Sequence, residues 1–145
     1  MSALKYDGVI FDLDGTLVDT LEDLADAMNR VLSGEQAPVH SYATYKLLIG
    51  KGIRNLVGQA LPPEKRSDET IARCYEAMIA DYGAHCLVKT RQYDGVAELV
   101  SGLRSAGAKL AVFSNKSDEL TRRIVESLFG PATSTSSWVR SRVCP

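Results

Sequence analysis

Val9, Ile10 and Phe11 run without a break into Asp12-Leu13-Asp14-Gly15-Thr16, and this junction limits what the chain can be more than any other stretch. A short, unbroken apolar run suits a strand buried on both faces of a parallel sheet, here over residues 6–11. Two carboxylates two residues apart, directly behind such a strand, are costly to desolvate unless they are used. On extended backbone they point to the same side, and ligand sites of α/β sheets form at the carboxyl ends of the strands. One carboxylate there can attack phosphorus and form an aspartyl-phosphate. The other can protonate the leaving oxygen and later take a proton from water. Gly15 lets backbone approach a phosphate, with nearby N–H groups for its oxygens. A divalent cation lets one anion approach another, and Mg2+ with oxygen ligands is the natural choice. The plain alternative is a solvated, Asp-rich turn.

Helical spacing follows. Leu21, Leu24, Met28, Val31 and Leu32 form one stripe behind Thr20, which with Asp23 resembles a capping box. Residues 41–61 read as two short helices broken at Gly50-Lys51-Gly52. After Pro62-Pro63 comes a longer helix with Ile71, Tyr75, Met78 and Tyr82 on one face. Residues 17–88 therefore read as an all-helical insert. Val96, Leu99, Val100 and Leu103 lie on a further helix ending at Gly107, then residues 109–113 form a second apolar strand running into Ser114-Asn115-Lys116. Ser117 caps a last helix carrying Leu120, Ile124, Val125 and Leu128. Strand and helix alternating in this way predict an α/β parallel sheet. Ser114 ends the second strand as Asp12 follows the first, and its hydroxyl with the Asn115 N–H can hold a phosphoryl oxygen.

Composition narrows the class. The 145 residues are 45% hydrophobic and 24% charged, enough for a globular core, with a formal charge of −1 and no basic face for nucleic acid. No apolar run approaches the ~20 residues of a membrane span, and the start has no signal pattern, so a cytoplasmic protein is expected. Cys74, Cys86 and Cys144 lack a CxxC and read as reduced thiols, and His85 beside Cys86 reads as part of a helix end.

FDLDGTLVDT, followed by YDGVAELVSGLRSAGAKLAVFSNK, resembles the haloacid dehalogenase superfamily, in its phosphoglycolate phosphatase-like branch. The resemblance spans about residues 5–130. It implies an α/β fold, a Rossmann-like parallel-sheet core (residues 1–16 and 89–130, incomplete here) with an inserted helical cap (residues 17–88). It makes Asp12 the nucleophile, Asp14 the general acid/base and Ser114 the phosphate-binding hydroxyl. Gly15, Thr16, Ser114 and Asn115 are the candidate substrate-binding residues. The Asp12 side chain and the Asp14 carbonyl are candidate Mg2+ ligands. Arg54 falls in the cap, where a solvated helix-face charge is the simpler reading than contact with a substrate carboxylate.

The family pattern then breaks off. It calls for a Lys-Pro and a Gly-Asp-x-x-x-Asp loop beyond the second motif, and neither is present; Lys116 belongs to the second motif and does not stand in by position. Glu126 is the last of 18 acids, and residues 131–145 hold six Ser or Thr without apolar periodicity. With permitted codons, a one-base shift from Ala132 onward reads Asp-Phe-Asp-Phe-Val-Leu-Gly-Ala-Gln-Ser-Gly-Val-Pro, like a third family strand. A frameshifted or unstructured tail is therefore expected. The expected function is Mg2+-dependent hydrolysis of a small phosphomonoester by the family, with this chain inactive as given. The alternative is a non-catalytic phosphate-binding or interaction protein on a truncated scaffold. A phospho-acceptor receiver domain fits less well, because of the helical insert. Self-association through an exposed sheet edge is expected; nucleic-acid and membrane partners are not.

Overall fold

A computed structural model describes residues 5–131 and the backbone of residues 139–141. In chain order the elements are β1 (Gly8–Phe11), β2 (Val18–Asp19), α1 (Leu21–Gly34), α2 (Tyr42–Leu48), α3 (Ile53–Ala60) and α4 (Asp68–His85). After these come β3 (Arg91–Gln92), α5 (Val96–Ser105), β4 (Lys109–Ser114), α6 (Asp118–Phe129) and β5 (Val139–Ser141). Two compact units divide the chain: Thr20–Thr90, and Met1–Asp19 together with Arg91–Pro145.

The second of these is the sheet unit. Its main sheet has the order β1-β4-β5 with both pairs parallel, the β1–β4 register running from Gly8↔Lys109 to Phe11↔Val112. Gly8 begins the pairing, and a glycine fits there because a Cβ would stand 2.9 Å from the Lys109 carbonyl oxygen. Leu110, Val112 and Ser114 alternate inward along β4, while Phe113 turns outward. Leu120, Ile124 and Val125 form the buried stripe of α6, which Ser117 caps through the Leu120 N–H. Gln92 ties the unit further, its Nε2 donating to the Leu128 carbonyl at 2.5 Å.

Three expectations are corrected here. The first strand is not buried on both faces: β1 ends the strand order, and Ile10 is 75% exposed. The helical reading of residues 17–88 missed Val18–Asp19, which pair antiparallel with Arg91–Gln92. Two residues are too few to show a period. The tail was expected to lack structure, yet Val139–Ser141 pair with Val112–Ser114 of β4, giving a third strand. Backbone groups on an open strand edge bond to any extended segment, whatever its side chains. The same expectation for residues 132–138 and 142–145 lies outside the described residues.

The helical unit, residues 20–90, is built on apolar stripes at helical spacing. Leu24, Met28, Val31 and Leu32 of α1, Tyr45 of α2, Leu56 and Val57 of α3, and Cys74, Met78 and Tyr82 of α4 are buried. Ser41 and Ser67 cap α2 and α4 by accepting from the Thr44 and Thr70 N–H groups. The capping box expected at Thr20 does not form: Thr20 makes no side-chain cap bond. Asp23 accepts instead from the Lys89 N–H at 2.9 Å, the Thr90 N–H at 2.8 Å and the Thr90 hydroxyl at 2.8 Å. A buried carboxylate is satisfied by the chain leaving the unit rather than by the helix it starts.

Candidate functional site

The sheet unit brings the two sequence motifs together because β1 and β4 are parallel neighbours in register, so their carboxyl ends open at one place. Asp12 leaves β1 exposed, and its Oδ1 accepts the Leu13 N–H at 2.8 Å, which holds the carboxylate beside its own backbone. The chain then tightens. The Leu13 carbonyl accepts from the N–H groups of Thr16, Leu17 and Val18 at 3.2, 3.0 and 3.2 Å, and the Gly15 N–H donates to Val18 O at 2.9 Å. Gly15 sits at φ +77, a conformation that an L side chain resists. The N–H groups of Gly15 and Thr16 both serve this turn.

On the β4 side, Ser114 is 2% exposed and its Oγ accepts the Lys116 N–H at 3.1 Å. A hydroxyl that accepts in this way keeps its own O–H for donation. Asn115 is exposed and lines, with Ile10, Phe11, Asp12 and Phe113, an open cleft of about 310 Å³. Asp12 and Asn115 thus face one space. Lys116 is the residue that reading the motif left aside. It is buried, and its Nζ lies 2.6 Å from Asp14 Oδ1, joining the two motifs by an ion pair. The signal that could have found it was plain enough: a lysine two residues beyond a strand whose parallel neighbour ends in two acids.

The oxygen donors of Asp12 and Asp14 suit a hard cation by type. Among the described residues, no three His, Cys, Asp or Glu side chains group as a metal cage. These two residues could therefore hold Mg2+ only with phosphate and water oxygens completing the shell, a common arrangement for that ion. Elsewhere, Cys74 and Cys86 are buried free thiols, and burial raises the Cys74 pKa. Cys144 lies outside the described residues. Arg54 is exposed on α3, its guanidinium 5.9 Å from the centre of the Tyr75 ring. No helix among the described residues is long and apolar enough to cross a membrane.

The chain is similar in sequence and in fold to known proteins. A phosphoglycolate phosphatase of Caulobacter vibrioides is 34% identical over 122 residues, covering 83% of this chain and 52% of that protein. One from Agrobacterium fabrum is 35% identical over 121 residues, covering 82% and 52%. This chain therefore spans about half the length of the curated relatives it matches. A crystal structure from Lactobacillus delbrueckii subsp. bulgaricus, provisionally named a phosphoglycolate phosphatase, matches with a TM-score of 0.84 and 28% identity over 96% of this chain and 66% of its own. The model of the haloacid dehalogenase-like hydrolases matches residues 9–129, motifs and helical insert included, and the chain belongs to that family.

Proposed function

We propose that the chain carries the nucleophile side of an Mg2+-dependent phosphomonoester hydrolase of the phosphoglycolate phosphatase type. The observation that carries this reading is that Asp12 and Asn115 line one cleft at the carboxyl ends of two paired parallel strands, while Lys116, bonded to Ser114, ties Asp14 to the same end. A carboxylate oxygen of Asp12 attacks phosphorus while the ester P–O bond breaks, and the leaving oxygen takes a proton from Asp14. Water then attacks the aspartyl-phosphate, giving its proton to Asp14, and the P–O bond to Asp12 breaks to release phosphate. The Ser114 hydroxyl and Asn115 hold non-bridging oxygens, Gly15 shapes the turn that places Asp14, and Thr16 offers an exposed hydroxyl beside it. When bound, Mg2+ supplies charge that lets the phosphate approach the carboxylates. On this chain the Asp12 carboxylate and the Asp14 carbonyl would hold it. The substrate is a small phosphomonoester such as 2-phosphoglycolate.

One preorganised charge contact in a transition state is commonly worth ~3 kcal/mol, or about a hundredfold in rate. Phosphatase assays with and without Mg2+, run beside an amide-resolved NMR titration with phosphate, test the reading. Shifts centred on Asp12, Ser114, Asn115 and the adjoining turn residues are the expected result, and any Mg2+-dependent turnover should vanish in Asp12→Asn. If a folded protein shows no shift there, the site reading fails. Turnover that survives Asp12→Asn would overturn Asp12 as the nucleophile.

A further inference from the structure

We propose that Lys116 is a phosphate-binding residue of this site, its ammonium resting on Asp14 until a phosphoryl oxygen takes that place. The inference builds on the reading of Asp12, Asp14, Ser114 and Asn115 as a phosphate site.

Lys116 is 5% exposed, and among the described residues it is the only buried lysine or arginine. Its backbone is held on both sides: the N–H donates to Ser114 Oγ at 3.1 Å, and the carbonyl accepts from the Thr121 hydroxyl at 3.5 Å. Those bonds fix where the side chain leaves the β4–α6 turn. The four-carbon stem then delivers the ammonium to Asp14 Oδ1 at 2.6 Å, with only 3% of the lysine side chain and 14% of the aspartate side chain exposed.

Stability does not account for such a pair. Taking two ions out of water costs free energy that their attraction only partly returns, and apolar replacements of similar volume are often as stable or more so. A buried ion pair at a strand-end site is better explained by what the site binds. Place and charge agree. Two carboxylates alone would repel a phosphate dianion. The ammonium is the positive group that this chain puts beside them. Lys116 itself directly precedes Ser117, the N-cap of the 12-residue helix α6, and backbone N–H groups at a helix start favour an anion. Asp118 and Glu119 in that first turn oppose this, and Arg122 offsets Asp118 by pairing with it at 2.6 Å. Lysine suits an exchange of partners, because its compact charge on a flexible stem can leave one oxygen for another without a fixed fork geometry.

The test is calorimetric titration of inorganic phosphate, at fixed Mg2+, into the wild-type chain, Lys116→Met and Lys116→Arg. Wild type should bind, Lys116→Met should bind about tenfold or more weakly, as expected for one lost charge-assisted bond, and Lys116→Arg should recover part of the loss. Equal affinity in wild type and a folded Lys116→Met would show the lysine to be a structural counter-ion for Asp14, overturning this inference alone. If the wild-type chain binds no phosphate, the site reading falls, and this inference with it. Should Lys116→Met fail to fold, the wild-type Lys116 side-chain 15N resonance decides. A shift that saturates with phosphate supports the exchange, and a resonance that stays still while the Ser114 amide moves overturns it.

Discussion

Tyr45 and Tyr82, the two largest buried side chains of the helical unit, are fully enclosed, whereas Ile10 and Phe113 of the sheet unit are 75% and 44% exposed. The two units meet the same apolar requirement in different ways. A helix satisfies its own backbone and needs partners only along one stripe, so a few helices within residues 20–90 can close on each other. Polar ties then fix their arrangement. Asn29 exchanges two bonds with the backbone of His40 and accepts the Tyr45 hydroxyl at 2.7 Å, and Arg30 grips Asp81 with both ends of its guanidinium. A strand satisfies its backbone only through neighbours. With the order β1-β4-β5, one edge of β1 has no partner strand among the described residues. The candidate site, with Asp12 and Asn115 lining its cleft, lies on the unit that is less closed.

The comparison breaks most sharply at Asp23. Its carboxylate is 3% exposed and gathers two backbone N–H groups and a hydroxyl at the point where the chain leaves the helical unit. Asp23→Ala strands those donors away from water, a loss of about 3 kcal/mol or more. Urea unfolding followed by helical circular dichroism should show the midpoint fall. An unchanged midpoint would mean that the helical unit closes without this tie.

The sheet unit is tested at its edge. An open strand edge beside exposed Ile10, Tyr6 and Phe113 is a template for pairing with another copy. Sedimentation across a dilution series should show concentration-dependent association of the wild-type chain, weakened at least about tenfold, some 1.4 kcal/mol, by Ile10→Lys. A wild-type chain that stays monomeric at every concentration would show that the edge is protected.

Sequence carried much of this, for reasons visible in particular residues. The helices α1 to α4 lie where their stripes put them, since a 3.6-residue period survives over any length that can form a helix. The parallel pairing of β1 with β4 followed from two apolar runs, each ending in polar chemistry, and Asp12, Ser114 and Asn115 came with it. What escaped was whatever depends on long-range partners. Val18–Asp19 were invisible because two residues have no period, and their partners lie over seventy residues on. Asp23 looked like a cap residue because a capping box is local, but Thr90 made the better offer. Lys116 was assigned to its own motif by position, while its ammonium reaches a residue 102 positions away. The exposure of Ile10 depends on what covers the sheet, which no pattern inside β1 records.

A smaller effect separates the polar ties of the helical unit from its apolar core. The Arg30 guanidinium bonded to Asp81 holds that carboxyl below its ordinary pKa, against the opposing effect of burial. A carboxylate whose folded pKa is depressed adds stability above its unfolded pKa and loses it as the pH falls through the folded value. Stability should therefore decline on acidification below about pH 4, the ordinary carboxylate range. Asp81→Asn should remove part of that decline. Because Arg30 is 47% exposed, solvent screens the pair and the difference at neutral pH is about 1 kcal/mol or less. Melting curves of both proteins from pH 3 to 7 give the comparison; parallel declines would mean that Asp81 is not a carboxylate that acid unseats.

The smallest expected effect is at Arg54, and it asks whether that residue belongs to the architecture or to a ligand. Its guanidinium stands 5.9 Å from the Tyr75 ring, linking α3 to α4 within the helical unit. At an exposed position such a contact is worth about 0.5 kcal/mol. Arg54→Ala should lower the unfolding midpoint slightly, and Arg54→Lys less, since a lysine keeps the charge over the ring. Tyr75→Ala in the Arg54→Ala background should add less than it does alone, because the contact is already gone. Additive losses would show that the two side chains do not interact, and Arg54 would then stand as a surface cation available to an anionic group.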